Sequence, residues 1–337
     1  MPPPRLAFVG ATHAVSPWLL RTLGRLGTFE AVCGEDAERG AALHHARWTF
    51  SDPEALLRET EPSGVVVALP VRERLGVIKQ CLAGGAGVLV VGSPGPVSAI
   101  KRLALLASLS GRAVLATPAI RHAPSILLAK RLIDSGQAGP PVSMTLHSTR
   151  RGAPRGDPDD DGPVPADQVF EAVDLVQHLV GPLTWVSAVA QSDAGVLVFS
   201  GVTSSDVPVS MVLHSSGPAE AVGIDLEIRS SEGSRLRIDG SCRLTCGNGS
   251  RIDAAHRPRL ASAEPAVELG YEGLVADFVR VLGLGRNSPE LVGLVAEAVA
   301  ATEAIFASAA RRRPVVPKTA DSPHASPGAA EARVGGA

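Results

Sequence analysis

Aromatic side chains are scarce in this chain: Phe, Trp and Tyr together make up 3% of its 337 residues. A platform that stacks successive nucleic-acid bases needs rings, so that class of partner is not expected. Charge of one sign is not in excess either, with 32 Lys and Arg against 34 Asp and Glu. That balance leaves no electrostatic footprint for nucleic acid or an anionic membrane. Long apolar runs are missing too, since none approaches the roughly 18 residues a spanning helix needs. The run that follows Met1-Pro2-Pro3-Pro4-Arg5 stops at Gly10, too soon for a signal-peptide core. A soluble, cytoplasmic protein is the expectation. Cysteines number four, Cys33, Cys81, Cys242 and Cys246, too few and too scattered for a disulfide framework. Cys242 and Cys246, with His256 downstream, raise the question of a metal. They would share one face of an alternating segment, and no fourth ligand has suitable spacing, so packing is expected and no metal is assigned.

What the chain does have is rhythm. Leu6–Gly10 reads as a buried strand, Ser16–Leu26 as a helix with Pro17 in its first turn, and Phe29–Cys33 as a second strand. A helix follows through Glu38–Leu43, and Asp52 caps another over Pro53–Glu59. Gly64–Leu69 is a β-branched strand, Glu73–Ala83 a helix ending in Gly84-Gly85, and Gly87–Val91 a strand. Ser98–Ser110 reads as a helix and Ala113–Ala116 as a strand. Strands alternating with helices require parallel pairing through right-handed crossovers, which predicts a doubly wound α/β sheet over residues 1–120. Beyond Gly139 the pattern changes. After a helix at Ser125–Ser135 come a strand at Val142–Ser148, a polar loop at 151–165 and a helix at Asp167–Val180. Strand-like segments then follow at 184–191, 195–201, 206–214, 222–229 and 234–239. This predicts an α+β domain over 121–317 with a large, open, mostly antiparallel sheet, helices returning at Leu274–Leu282 and Pro289–Ala310, and a disordered tail over 318–337.

Several local strings resemble the glucose–fructose oxidoreductase / inositol dehydrogenase family (Gfo/Idh/MocA), over about Arg5 to Pro317. They are Ala31-Val32-Cys33 with Glu38-Arg39, Gly64 through Pro70, Leu132-Ile133-Asp134-Ser135-Gly136 before Gly139, Asp174 with Gly181, and Arg313-Pro314-Val315. The resemblance implies a Rossmann-type first domain, NAD as cofactor with NADP less favoured, and hydride transfer on a hydroxyl or carbonyl of a sugar, cyclitol or related small molecule. It implies a homo-oligomer as well, formed through the open face of the second sheet near Val196–Phe199. The alternative is a catalytically silent relative that serves as a nucleotide- or sugar-sensing module.

The candidate site departs from the family's pattern at each step. A dinucleotide fingerprint wants three glycines after strand one, whereas Gly10-Ala11-Thr12-His13-Ala14-Val15 keeps only the first. Thr12 and Ser16 could bind phosphate at the helix N-terminus, or the turn has simply lost affinity; both readings stand. Past the second strand Gly34 takes the place of the family's ribose-binding acid, with Glu35 and Asp36 next. Glu35 either reaches the ribose or is a loop residue. The resemblance places a catalytic lysine where Ser93 stands in Gly92-Ser93-Pro94, and a histidine where Glu171 stands, three residues before Asp174. A proton acceptor is needed for alcohol oxidation. Glu171, supported by Asp174, is the candidate, unless both acids are merely solvated on one helix face. After Pro70 the resembled family usually has an Asn and a His near the nicotinamide, where this chain reads Val71-Arg72-Glu73-Arg74. Arg121 matches the arginine of the family's loop entering the second domain and Asp167 an acid of its substrate wall. Arg72, Arg74, Arg121 and Asp167 therefore either line the cleft or, for the arginines and above all Arg72 and Arg74, are solvated surface charges. His178 reads as a structural residue packed against the sheet.

Overall fold

The computed structural model describes residues 3–10, 17–26, 28–44, 46–149, 164–215, 223–240, 243–247, 265–284 and 293–318. The first sheet is built from β1 (Arg5–Gly10), β2 (Thr28–Cys33), β3 (Trp48–Phe50), β4 (Gly64–Ala68), β5 (Gly87–Val90) and β6 (Val114–Leu115). Their order is β3-β2-β1-β4-β5-β6, and every pairing is parallel. Such a sheet is covered on both faces, so its strands lose the period-two alternation. In β4, Val65, Val66 and Val67 are all fully buried. The covering helices are α1 (Pro17–Leu26), α2 (Ala37–His44), α3 (Pro53–Thr60), α4 (Val71–Ala83) and α5 (Val97–Ser110). Asp52 caps α3 as expected, its carboxylate accepting from the Ala55 N–H at 2.8 Å. Strand β3 is absent from the sequence reading because it is three residues long and exposes Trp48 and Thr49.

The second sheet has seven strands: β7 (Pro141–Thr149), β8 (Leu183–Gln191), β9 (Val196–Thr203), β10 (Pro208–His214), β11 (Gly223–Ser230), β12 (Arg235–Asp239) and β13 (Arg243–Gly247). Its order is β13-β12-β11-β7-β10-β9-β8, antiparallel except where β10 runs parallel to β7. Along β9 burial alternates residue by residue, as a sheet covered on one face requires. On β13, Cys246 pairs with Leu236 and packs against the core, while Cys242 lies outside the described residues. So does the tail beyond Lys318.

The covered face of this sheet packs on α7 (Ala166–Val180) and α10 (Leu294–Arg311). Helix α7 is buried along most of its length, with Phe170 and Leu175 in one cluster with Met211 of the second sheet and Val67 of the first. Helix α10 returns to the first sheet, where Glu303 accepts the Val97 N–H at the start of α5 at 2.9 Å. The helices α6 (Pro124–Asp134), α8 (Pro265–Glu268) and α9 (Tyr271–Leu284) complete the fold. Phe278 and Leu282 of α9 lie over Gly64 and Gly87, so a segment distant in sequence closes the outer face of the first sheet. No helix among the described residues is long and apolar enough to cross a membrane.

Candidate functional site

In a doubly wound sheet the crevice opens outside the carboxyl ends of the strands where the order reverses. Here that point lies between β1 and β4. Gly10 ends β1 at φ +142°, and a Cβ there would lie closer to the Ala68 carbonyl than the 3.0 Å real Cβ atoms keep. Gly34 at the end of β2 meets Gly10 in the same way. The backbones of β1, β2 and β4 therefore close together at the rim of the crevice, and only glycine fits. Beyond Gly34, Glu35 is exposed. Thr12, His13 and Val15 lie outside the described residues.

The mouth of β5 is where the structure gathers what the sequence kept apart. Arg74, in the first turns of α4, is 3% exposed rather than a solvated surface charge. Its Nε and Nη2 donate to the Leu69 carbonyl at 2.9 and 2.6 Å, and its Nη1 donates to the Ser93 carbonyl. The same guanidinium grips Asp167 of α7, Nη1 to Oδ1 at 3.1 Å and Nη2 to Oδ2 at 2.8 Å. An arginine has five N–H donors in a rigid fork, and all five find an acceptor here. Asp167 Oδ1 accepts the Ser93 N–H as well, at 2.8 Å. Gly92, at φ +91°, is the matching negative shape: any Cβ there would run into the Asp167 carboxylate. The Ser93 hydroxyl is turned inward, donating to the Gly95 carbonyl at 3.2 Å and accepting its N–H at 3.4 Å.

Residues 167, 171, 174 and 178 follow the spacing that puts side chains on one helix face. On α7 that stripe is Asp167, Glu171, Asp174 and His178. Its far end makes a second cluster. Arg121, in the turn Ala119–His122, donates through Nε to His178 Nδ1 at 3.0 Å and through Nη1 to Asp174 Oδ1 at 3.4 Å. Asp174 is 2% exposed. Since His178 Nδ1 accepts, its proton sits on Nε2. Burial first, then the charges of Arg121 and Lys130, push the imidazole down to about 4, so it is neutral at neutral pH. His178 is thus fastened to the 119–122 turn. Two cavities flank this bond: one of about 150 Å³ against Thr117, His122 and Asp277, the other of about 230 Å³ against Lys130, Gln177 and Leu294. At the helical rise, Asp174 and His178 lie roughly 10 and 16 Å along α7 from Asp167. Glu171, partly exposed, stands between the two clusters.

Among the described residues no group of three or more His, Cys, Asp or Glu is placed to hold a metal ion. Cys33 and Cys81 are inert thiols: burial, aided for Cys33 by the Asp52 charge, pushes them up to about 11 and 12. Arg74 is the residue sequence reasoning misjudged. A cation near the N-terminus of a helix opposes the helix dipole, and that mismatch was the available sign that an anion must lie opposite.

The fold and crevice define an α/β protein with a Rossmann-type first sheet and a second, open sheet that carries the acid-bearing helix. The same architecture is found in solved structures that align over nearly the whole chain. Myo-inositol 2-dehydrogenase from Lactobacillus plantarum matches with a TM-score of 0.76 at 16% identity, covering 94% of this chain and 100% of that one. Levoglucosan dehydrogenase, in complex with NADH and L-sorbose, matches at 0.78 and 14%, covering 95% and 100%. An oxidoreductase from Agrobacterium radiobacter, in complex with NAD+, L-tartaric acid and magnesium, matches at 0.75 and 14%, covering 93% and 98%. At these identities the likeness establishes the fold, that of the inositol dehydrogenase-like structures. No family model matches the chain, and no curated protein does.

Proposed function

We propose that this protein is an NAD(H)-dependent oxidoreductase acting on a hydroxyl or carbonyl carbon of a sugar, cyclitol or related small molecule. The observation that carries this reading is the crevice between β1 and β4, opening beside the acid stripe of α7 in a fold whose solved examples include complexes with NAD+ and NADH. The residues present suit a dinucleotide. Gly10 and Gly34 keep the crevice floor free of side chains, and Glu35 is exposed where ribose hydroxyls would need an acceptor. No arginine adjoins Glu35 to neutralise a 2′-phosphate, which favours NAD over NADP. Thr12, His13 and Val15 belong to the phosphate-binding turn in this reading, and Pro70 and Ser93 border the nicotinamide end. Once bound, NAD(H) supplies the hydride acceptor or donor.

The chain's own groups then have separable tasks. Glu171 takes the hydroxyl proton in oxidation and returns it in reduction. Asp167, held in place by Arg74 and the Ser93 N–H, offers its 29% exposed side chain to substrate hydroxyls. Ser93 contributes through its backbone, since its hydroxyl is occupied with Gly95. Arg121 is bonded to both Asp174 and His178, which holds the lower half of α7 in place. A second copy of the chain is the proposed partner for the outward face of the second sheet, where Val189 (72% exposed), Val198 and Val212 stand in register. The test is direct: titrate the purified protein with NADH and NADPH by fluorescence or calorimetry, then assay a polyol and sugar panel. NADH should bind more tightly than NADPH, and at least one polyol should turn over. Absence of NADH binding would refute the reading.

A further inference from the structure

Arg74 makes no contact that looks like substrate recognition, because every one of its donors is already used inside the protein. Those acceptors come from three elements: the chain leaving β4 at Leu69, the chain leaving β5 at Ser93, and the first turn of α7 at Asp167. The neighbouring residue on α7, Gln168, is 1% exposed and donates to the Ser148 carbonyl at the end of β7 and to the His214 carbonyl at the end of β10. The first turn of α7 is thus pinned to both sheets, by Asp167 on one side and Gln168 on the other. Of the two fastenings, only the Arg74 one is ionic. It also has a shape requirement, since Gly92 must lack a side chain for the carboxylate to dock.

We propose that Arg74 is a positioning residue for the cleft: by clamping Asp167 to the mouths of β4 and β5 it fixes the start of α7, and with it the direction in which Glu171, one turn on, faces the substrate. The proposal deepens the oxidoreductase reading above and rests on it for what Glu171 does. The clamp is built for geometry. A planar fork bonded to two carbonyls and a carboxylate permits one orientation of the carboxylate, whereas a lysine's single nitrogen would leave it free to swing. Misplacing a reacting group by about 1 Å can cost around a hundredfold in rate with little change in binding.

The test uses the full-length protein in three forms: Arg74→Met, Arg74→Lys and Asp167→Asn. Arg74→Met should lower kcat about a hundredfold, leaving KM and NADH affinity within about threefold. Arg74→Lys should recover part of that loss, since one charged donor can still reach Asp167. Asp167→Asn keeps the size of the side chain and should share the loss of kcat and of protection at 166–171 with Arg74→Met, with a raised KM in addition because this carboxylate also meets substrate hydroxyls; it guards against misfolding of the arginine variant. Hydrogen exchange gives a readout free of turnover: peptides covering 166–171 should lose protection in Arg74→Met, while those covering 176–180, held by Arg121, keep theirs. Unchanged kcat and unchanged exchange at 166–171 would overturn the clamp. Loss of kcat, NADH binding and protection together along the whole chain would reduce Arg74 to a general stability role and overturn the positioning claim. If the wild type binds no NADH and turns nothing over, the oxidoreductase reading falls and the positioning role falls with it. The exchange contrast would then show only whether the clamp exists.

Discussion

Adding one methyl group at Gly92 should be among the costlier single changes this chain can suffer. The residue lies at φ +91°, and its Cβ would overlap the Asp167 carboxylate. Holding a non-glycine residue in that backbone region costs about 1–3 kcal/mol. The carboxylate must also withdraw from an arginine side chain that is only 4% exposed. Breaking a buried pair costs about 3–5 kcal/mol, and the 29% exposure of Asp167 lets water offset some of it, so the low end applies. The sum for Gly92→Ala is roughly 4–6 kcal/mol. At about 2 °C per kcal/mol for a chain of this size, the melting temperature should fall by roughly 8–12 °C. Gly76→Ala provides the opposite sign. Gly76 is exposed inside α4, and a Cβ there meets nothing within 4 Å. It should gain about 0.5–1 kcal/mol from lower chain entropy. Melting curves of both variants beside the wild type, followed by circular dichroism, decide the matter. If Gly92→Ala melts within about a degree of the wild type, the carboxylate is not docked under residue 92, and the account of this site is wrong.

Two further outcomes follow from the stripe on α7. Glu171→Gln keeps the shape but cannot take a proton, so turnover should drop about 10²–10⁴-fold while NADH titrations stay nearly unchanged; full activity in this variant would move the proton to another group. His178 should make stability depend on pH. Its value falls from 6.5 to about 4 on folding, so between those pH values the unfolded chain holds the extra proton. Its contribution is therefore complete above about pH 6.5 and is lost as the pH falls toward 4, with a slope of at most about 1.4 kcal/mol per pH unit. Urea midpoints across that window should vary less in His178→Gln, whose amide oxygen can still accept from Arg121; an unchanged pH dependence would mean the imidazole is protonated in the fold.

Much of the fold was legible because burial writes itself into residue order. The unbroken apolar runs at Leu6–Val9 and Val65–Val67 marked strands covered on both faces, and the alternation along 196–203 marked a sheet covered on one. What stayed hidden were features whose cause is distant in sequence. Strand β3 has little apolar pattern because it lies at the sheet's edge, held by pairing with β2 alone. The parallel register of β10 on β7 depends on β8 and β9 being placed first, which no local window contains.

The site divides along the same line. Asp167, Glu171 and Asp174 could be assigned to one face because helix geometry is local. The partner of each acid could not, since Arg74 lies 93 residues from Asp167 and Arg121 lies 53 from Asp174. Residue by residue, the Gly92-Ser93-Pro94 string and the segment that holds Arg74 read as two separate departures from the resembled pattern. In space they form one arrangement: the glycine admits the carboxylate, the serine's backbone N–H bonds to it, and the arginine neutralises it. A lysine side chain reaching into the cleft from position 93 would meet a carboxylate already paired with a guanidinium. The carboxylate on this wall is tied up in an ion pair, and in the proposed oxidoreductase the proton is handled further along α7, at Glu171, rather than at the mouth of β5.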